Sequence, residues 1–172
     1  MAERPTGMTA EPGSVPESVP GFTAVTVAAL QGAGRLVQTD WEQETFDVLP
    51  QTDEGVRVSG VILHSSHAVA FYAVWDDFVP FPARQQVAEW SVRANTDLST
   101  TAIEFSLDTG ILAVRSVVHV GSLSIGTPGE DIPEEALAIS RAAYGALLAG
   151  AVDDAAGTFA RLAPDVATLL AG

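Results

Sequence analysis

The sequence predicts an α+β domain in which an antiparallel sheet is packed against helices, mainly on one face. Two observations favour this class. Segments with the apolar period of a helix alternate with segments of strand period, and short turns join the strand-like segments. The predicted order is helix, three strands, helix, two strands, helix. With 172 residues, 47% of them hydrophobic, one domain can bury a core without disulfides or metal.

The N-terminal segment differs in composition from the rest of the chain. Residues 1–20 contain four prolines, two glycines and no aromatic residue, so they bury too little apolar surface to offset the entropy cost of ordering. We expect a disordered tail over 1–20 and a single domain over 21–172. The tail has no apolar stretch typical of a signal peptide, which favours a cytoplasmic location.

The first elements are a helix and a strand. A helix is predicted from Thr23, because Val27 and Leu30 recur at helical spacing and two glycines follow as a stop signal. Residues 41–49 alternate loosely between apolar and acidic side chains, which predicts one half-exposed strand that ends at Pro50.

A hairpin is predicted next. The run 58–75 has no charged residue and approaches the length of a membrane span. Polar residues 64–67 interrupt it, and β-branched and aromatic residues dominate on both sides, so two strands joined by a short loop are favoured over a membrane helix. Residues 69–75 are apolar on both strand faces, which is typical of a central strand or of one beneath a partner.

A second helix and a second hairpin follow. The helix is predicted over 83–95, with proline in its first turn and Arg84 turned to solvent. Its apolar stripe is narrow and comprises Ala83, Val87, Trp90 and Ala94. Strands are predicted over 102–107 and 112–120, joined by a tight turn in which Gly110 can adopt a positive φ.

The C-terminal third is predicted to be a loop followed by helices. We expect a loop over 121–129, a cap at Asp131 or a neighbour, and a helix over 133–148. Gly150 and the aspartates after it are expected to break or bend that helix. A last helical stretch is expected to reach the chain end with a kink at Pro164.

One region carries a family resemblance. A proline-led helix ends in Arg-Ala-Asn and is followed by a leucine and a Phe-containing hairpin; the residues are Arg93-Ala94-Asn95, Leu98, Glu104-Phe105, Asp108, Gly110 and Arg115. In these features the region from Val79 through Arg115 resembles the YbjN family of bacterial regulators. The resemblance implies a fold similar to type III secretion chaperones. It also implies a peptide-binding, often dimeric, non-catalytic module with regulatory and stress-related roles.

Composition argues against several classes of function. Eight arginines, no lysine and 22 acidic residues give a net charge of −14, which repels the phosphates of nucleic acids. The chain has no cysteine, so thiolate chemistry and cysteine metal sites are excluded. Neither a dinucleotide fingerprint nor a P-loop is complete, because the third glycine of the first and the lysine of the second are missing. We therefore expect no cofactor.

Metal and triad chemistry also lack support in the sequence. His64 and His67 lie across a predicted turn and His119 lies on another strand, so three converging ligands are not expected. Two serines follow His64, but no Gly-x-Ser-x-Gly elbow accompanies them. The paired carboxylates stand at element ends, where capping and solvation explain them.

The remaining hypothesis is surface recognition. If residues 69–75 are apolar on both faces, helices can cover only one face and a second chain is expected over the other. We therefore expect a non-catalytic adaptor or chaperone-like regulator, a homodimer that binds a protein or peptide and neither membrane nor nucleic acid. The candidate partner-binding residues are Phe71, Trp75, Trp90 and Phe105. Aromatic residues at strand or helix period are also typical of an ordinary core.

Two alternatives stay open. The first is a small cytoplasmic enzyme that uses the outward side chains of Glu104, Arg115 and His119 on the second hairpin, where they would have to converge on one pocket. The second is a structural interaction protein whose acidic surface binds a basic partner, with binding that is lost at high salt.

Overall fold

The computed structural model describes residues 21–53, 55–120 and 134–171. Its main elements, in chain order, are α1 (Gly21–Gly32), β1 (Val37–Asp40), β2 (Thr45–Val48), β3 (Val58–Leu63), β4 (Ala68–Val74), α2 (Arg84–Ala94), β5 (Thr101–Phe105), β6 (Leu112–His119) and α3 (Glu134–Ala171). The predicted α+β class with an antiparallel sheet and packed helices is confirmed. The predicted tail, the loop over 121–129 and the cap at Asp131 lie outside the described residues.

The described strands form one antiparallel sheet in the order β1-β2-β3-β4-β6-β5. β4 therefore lies in the interior of the sheet, between β3 and β6. Its Phe71 stands opposite Gly60 on one side and Ser116 on the other. The central position predicted for residues 69–75 is confirmed.

The structure has one more strand than the sequence predicts. Residues 41–49 are not a single strand, because a turn over 41–44 separates β1 from β2. An Asp40 side-chain oxygen accepts hydrogen bonds from the backbone N–H groups of Glu42 and Gln43, at 3.0 and 3.1 Å. Such a local bond favours a turn over a continuing strand. Glu44 completes the turn with a φ of 52°.

The core lies between one face of the sheet and the helices. Every second residue of β3 and β4 is buried on that side, including Val58, Ile62, Val69 and Phe71. α3 packs on β4 and β6, and α1 packs on α3. None of the described helices is both long enough and apolar enough to cross a membrane.

α1 and α3 approach each other closely. A Cβ atom on Gly145 of α3 would lie 2.5 Å from the carbonyl oxygen of Ala29 in α1, so only glycine fits there. One turn away, the hydroxyls of Thr26 and Tyr144 share a buried hydrogen bond of 2.8 Å. Burial raises the pKa of the Tyr144 phenol, and the bond to Thr26 lowers it by a smaller amount. The two helices thus form one packed unit.

α3 is longer than predicted. It is one helix from Glu134 to Ala171, with Pro164 inside it, so the expected break at Gly150 is wrong. Ala151, Val152 and Ala155 are all buried directly after that glycine. Their burial outweighs the roughly 1 kcal/mol by which glycine disfavours a helix.

The second hairpin is joined to α2 by an arginine. Gly110 has a φ of 80°, which confirms the predicted turn. Arg84, predicted to face solvent, is partly exposed, but its guanidinium is also bound to the backbone. Its guanidinium donates hydrogen bonds to the carbonyl oxygens of Val79, Leu107 and Asp108, at 3.1, 2.7 and 2.8 Å. These bonds connect the start of α2 with the loop before it and with the turn between β5 and β6.

Candidate functional site

The four aromatic residues predicted to bind a partner belong to the core or pack against it. Phe71 has 0% of its surface exposed and lies edge-on to Phe46, with ring centroids 6.1 Å apart. Trp75 stacks on Phe159 of α3 at 4.1 Å. Trp90 and Phe105 are partly buried against the same core. Phe71 therefore offers no surface to a partner unless the core opens, and the role suggested for the others stays a prediction.

The polar residues of the enzyme alternative do not converge. The Glu104 carboxylate forms an ion pair with the Arg115 guanidinium at 2.5 Å. Register places Arg115 opposite Tyr72 and His119 opposite Ala68. His119 therefore lies four residues further along the same strand, about 13 Å away. An ion pair with a distant histidine does not form a pocket for acid–base chemistry.

Tyr72 is the titratable neighbour of that ion pair. Burial raises the pKa of the Tyr72 phenol, the Glu104 charge raises it further, and the Arg115 charge lowers it. The phenol therefore stays protonated at neutral pH, as a hydrogen-bonding group beside a cavity.

An exposed apolar surface lies at one end of the sheet. Among the described residues, nine large hydrophobic side chains are exposed, and five of the nine come from the end of β4, the loop after it and the β5–β6 turn. We call these five residues the hairpin-end patch; they are Val74, Phe78, Phe81, Leu107 and Ile111. Phe78 and Phe81 have 67% and 81% of their surface exposed, which is unusual for phenylalanine.

Backbone hydrogen bonds hold the three segments of the patch together. The N–H of Trp75 donates to the carbonyl of Leu112 at 3.1 Å, and the N–H of Val79 donates to the carbonyl of Gly110 at 2.9 Å. The loop after β4 therefore runs beside the β5–β6 turn. Arg84 adds its hydrogen bonds to the same turn.

A cavity of about 720 Å³ adjoins the patch. Val74 and Ile111 line it together with Tyr72, Glu104 and Ala113. Phe105 completes the apolar part of its wall, and the hydroxyls of Ser106 and Thr109 join the carboxylate and the phenol as polar groups. A cavity of this volume can accept one or two apolar side chains of a partner.

The rim of the patch is acidic. Asp76, Asp77 and Asp108 are exposed around it, and the exposed Glu104 is paired with Arg115. Arg84 is engaged by backbone carbonyls, and its guanidinium carbon lies 5.7 Å from the centre of the Phe81 ring. That distance is within the range of a cation–π contact. The rim therefore attracts positively charged groups.

Sequence reasoning missed Phe78 and Phe81. They stand in a loop between two aspartates and Pro82, outside every periodic segment. A regular spacing of apolar residues identifies side chains that face the core, but it gives no information about side chains in loops. The sequence did contain one signal of a binding site, which is the presence of two phenylalanines in a four-residue stretch of loop. Exposed loops that carry large apolar side chains are often functional.

The described residues contain no group of three or more histidine, aspartate or glutamate side chains that could hold a metal ion. No protein-family model, no curated protein and no solved structure matches the chain. The resemblance to the YbjN family therefore stays a prediction.

Proposed function

We propose that this protein is a non-catalytic adaptor or chaperone-like regulator that binds a partner polypeptide at the hairpin-end patch. We further propose that it does so as a homodimer in the cytoplasm, and that its role is regulatory, in a stress response. The resemblance of residues 79–115 to the YbjN family supports the homodimer and the regulatory role. The exposure of Phe78 and Phe81 carries the proposal of polypeptide binding.

Apolar burial supplies the affinity in this proposal. Full burial of one phenylalanine side chain contributes about 1.5–3 kcal/mol. Large side chains that become fully desolvated on binding are typical of the few positions that dominate the energy of an interface. The cavity beside Val74 and Ile111 gives the partner a place for its own apolar side chain.

The acidic rim selects among apolar partners. Asp76, Asp77 and Asp108 surround the patch, so a partner segment with arginine or lysine on either side of its apolar residues fits best. Salt screens such exposed charges but leaves apolar burial in place. Moderate weakening at high salt is expected, whereas a purely electrostatic complex would be lost.

Peptide selection with matched variants tests this function. Peptides are selected from a random library on the full chain, and their affinities are measured by fluorescence anisotropy. Phe78→Ala combined with Phe81→Ala is expected to weaken binding at least tenfold. Val92→Ala is the control, because Val92 is 70% exposed on α2 and outside the patch, and a change below twofold is expected.

The opposite results would refute the proposal. Selected peptides that bind the double variant as tightly as the natural chain would place the binding surface elsewhere. Failure of the library to yield any peptide with a dissociation constant below 1 mM would count against peptide binding as a function.

A further inference from the structure

A second cavity, of about 570 Å³, lies at the same end of the sheet as the hairpin-end patch. Val74 lines this cavity and also the cavity beside Ile111. β4 has β6 as its neighbour on one side and β3 on the other. The cavity beside Ile111 extends over β6 and β5, whereas the second one extends over the start of β3 and the residues before it. The two cavities therefore meet at Val74, and we call them the hairpin cavity and the β3 cavity.

The apolar walls of the β3 cavity are held in place by tertiary contacts. The ring of Phe159 in α3 forms one wall, and it stacks on the Trp75 ring with centroids 4.1 Å apart. Pro50 and Gly55 form another wall. They pack so closely that Gly55 has no room for a Cβ atom. The cavity is therefore bounded by a fixed aromatic ring on one side and by a tightly packed loop on another.

Two groups of opposite charge line the β3 cavity without contacting each other. Arg57 and Asp76 both line it, and both are exposed. Neither side chain makes a hydrogen bond with any described residue, and the two form no ion pair with each other. The carboxylate that pairs with Arg57 is that of Asp47, at 3.6 Å, which is beyond the length of a hydrogen bond. The hydroxyl of Ser59 is already engaged, since it donates to Asp47 at 2.7 Å. N–H donors and a carboxylate acceptor therefore both remain available to a ligand.

We propose that the β3 cavity binds a tyrosine side chain of the partner polypeptide. A phenol hydroxyl both donates and accepts, so it can accept a hydrogen bond from Arg57 and donate one to Asp76. Its ring packs against Phe159 and Val56, as aromatic side chains with a polar end do at interfaces. A carboxylate in this place would be repelled by Asp76, and an ammonium or guanidinium group would be repelled by Arg57. Phenylalanine would displace the water around both charges without replacing its hydrogen bonds.

The positions of the two cavities set the spacing of side chains along the partner. Adjacent strands lie about 4.8 Å apart, so cavities centred near β3 and β6, which are two strands apart, are separated by about 10 Å. A polyproline-II chain places residues three positions apart on one side, at about 9 Å. We therefore expect the tyrosine three positions away from an apolar residue that enters the hairpin cavity, with the chain crossing β4 over Val74. This inference rests on the proposed function, because it specifies the segment that the hairpin-end patch binds.

Peptide selection with one fixed apolar residue tests the spacing. Peptides of twelve residues carry leucine at position 6 and random residues elsewhere, and they are selected on the full chain. Tyrosine is expected to be enriched three positions before or after the leucine. Replacement of that tyrosine by phenylalanine in a selected peptide is expected to weaken binding at least fivefold, as measured by fluorescence anisotropy.

A double-mutant cycle identifies the groups that the tyrosine contacts. On a variant with Arg57→Met and Asp76→Ala, the tyrosine and phenylalanine peptides are expected to differ less than twofold in affinity. The altered rim charge acts equally on the two peptides, so it does not enter the comparison. The control variant carries Arg93→Met and Asp97→Ala, which change the same types of residue at exposed positions that line neither cavity. On the control the fivefold difference is expected to persist, and circular dichroism confirms that both variants are folded.

Three results would overturn the inference. Selected peptides that lose affinity on Phe78→Ala with Phe81→Ala but lack tyrosine at this spacing would overturn it and leave the proposed function standing. A tyrosine effect of the same size on the Arg57→Met, Asp76→Ala variant would do the same. A library that yields no binding peptide would overturn the proposed function and this inference with it.

Discussion

The guanidinium of Arg84 donates a 2.7 Å hydrogen bond to the carbonyl oxygen of Leu107, 23 residues further along the chain. The same group donates to the carbonyls of Val79 and Asp108. One side chain therefore fixes the two loops that present the exposed phenylalanines and Leu107. The hairpin-end patch depends on this arginine for its shape.

Arg84→Ala is expected to destabilise the protein by about 1–3 kcal/mol, because it removes hydrogen bonds from a charged donor to several carbonyls. Arg84→Lys should restore less than half of the loss, since an ammonium group cannot reproduce the planar fork of donors. Urea denaturation measures both effects. Arg93→Ala, an exposed position on the same helix, is the control and should change stability by less than 0.5 kcal/mol. Equal effects at the two positions would show that Arg84 does not fix these loops.

Gly110→Ala is expected to destabilise the β5–β6 turn. The residue has a φ of 80°, and an added Cβ would lie 2.6 Å from the carbonyl oxygen of Val79. A strained backbone of this kind costs about 1–3 kcal/mol, and the close contact adds to it. Gly157→Ala in α3 is the control, because its Cβ would meet nothing within 4 Å, and it should stabilise by about 0.5–1 kcal/mol. Thermal unfolding of the two variants should therefore shift in opposite directions.

Asn95 protects the outer edge of the sheet. Its side chain accepts a hydrogen bond from the N–H of Ile103 at 2.7 Å and donates one to the carbonyl of the same residue at 3.0 Å. β5 is an edge strand, and unpaired groups at such an edge are sites of aggregation. Asn95→Ala should cost about 1–2 kcal/mol and raise light scattering on heating, whereas Asp97→Ala should do neither. Unchanged scattering in the Asn95 variant would refute this role.

Alkaline pH should destabilise the protein through Tyr144. Burial raises the pKa of its phenol above the value in the unfolded chain, with the Thr26 hydroxyl as a smaller opposing influence. The folded state then retains a proton that the unfolded state loses, so the contribution of Tyr144 to stability is constant below pH about 10 and is lost above it. Tyr144→Phe should flatten this fall, at a cost of about 1–2 kcal/mol at neutral pH for the unpaired Thr26 hydroxyl. Urea unfolding at pH 8, 10 and 11 measures the free energy of unfolding of the natural chain and of the variant. An equally steep fall in the variant would show that Tyr144 is not the cause.

Much of the fold could be predicted because the spacing of apolar residues along the chain indicates which side chains are buried. Val87 and Trp90 marked α2, and the alternation around Phe71 marked a central strand. The β1–β2 turn could not be predicted in the same way, since it depends on a local bond from Asp40. The continuity of α3 past Gly150 depends on tertiary burial that a local rule does not include.

The candidate site was predicted less well than the fold. Aromatic residues at regular spacing, such as Phe71, belong to the core because the spacing itself is set by the core. The exposed aromatic residues lie in a loop, where no spacing rule applies. Their proximity to Leu107 and Ile111 comes from hydrogen bonds between distant segments, including that of Val79 to Gly110. Asn95 shows a further limit, since its part in the Arg-Ala-Asn motif did not reveal that it covers a strand edge.

Chemical-shift mapping with a selected peptide tests the central claim most directly. The ¹⁵N-labelled full chain is titrated with the peptide, and backbone amide shifts are followed residue by residue. Binding at the hairpin-end patch predicts that the largest changes fall within residues 72–82 and 104–113, and that Phe78→Ala with Phe81→Ala abolishes them. Changes confined to α1 and α3, with residues 72–82 unaffected, would contradict the account.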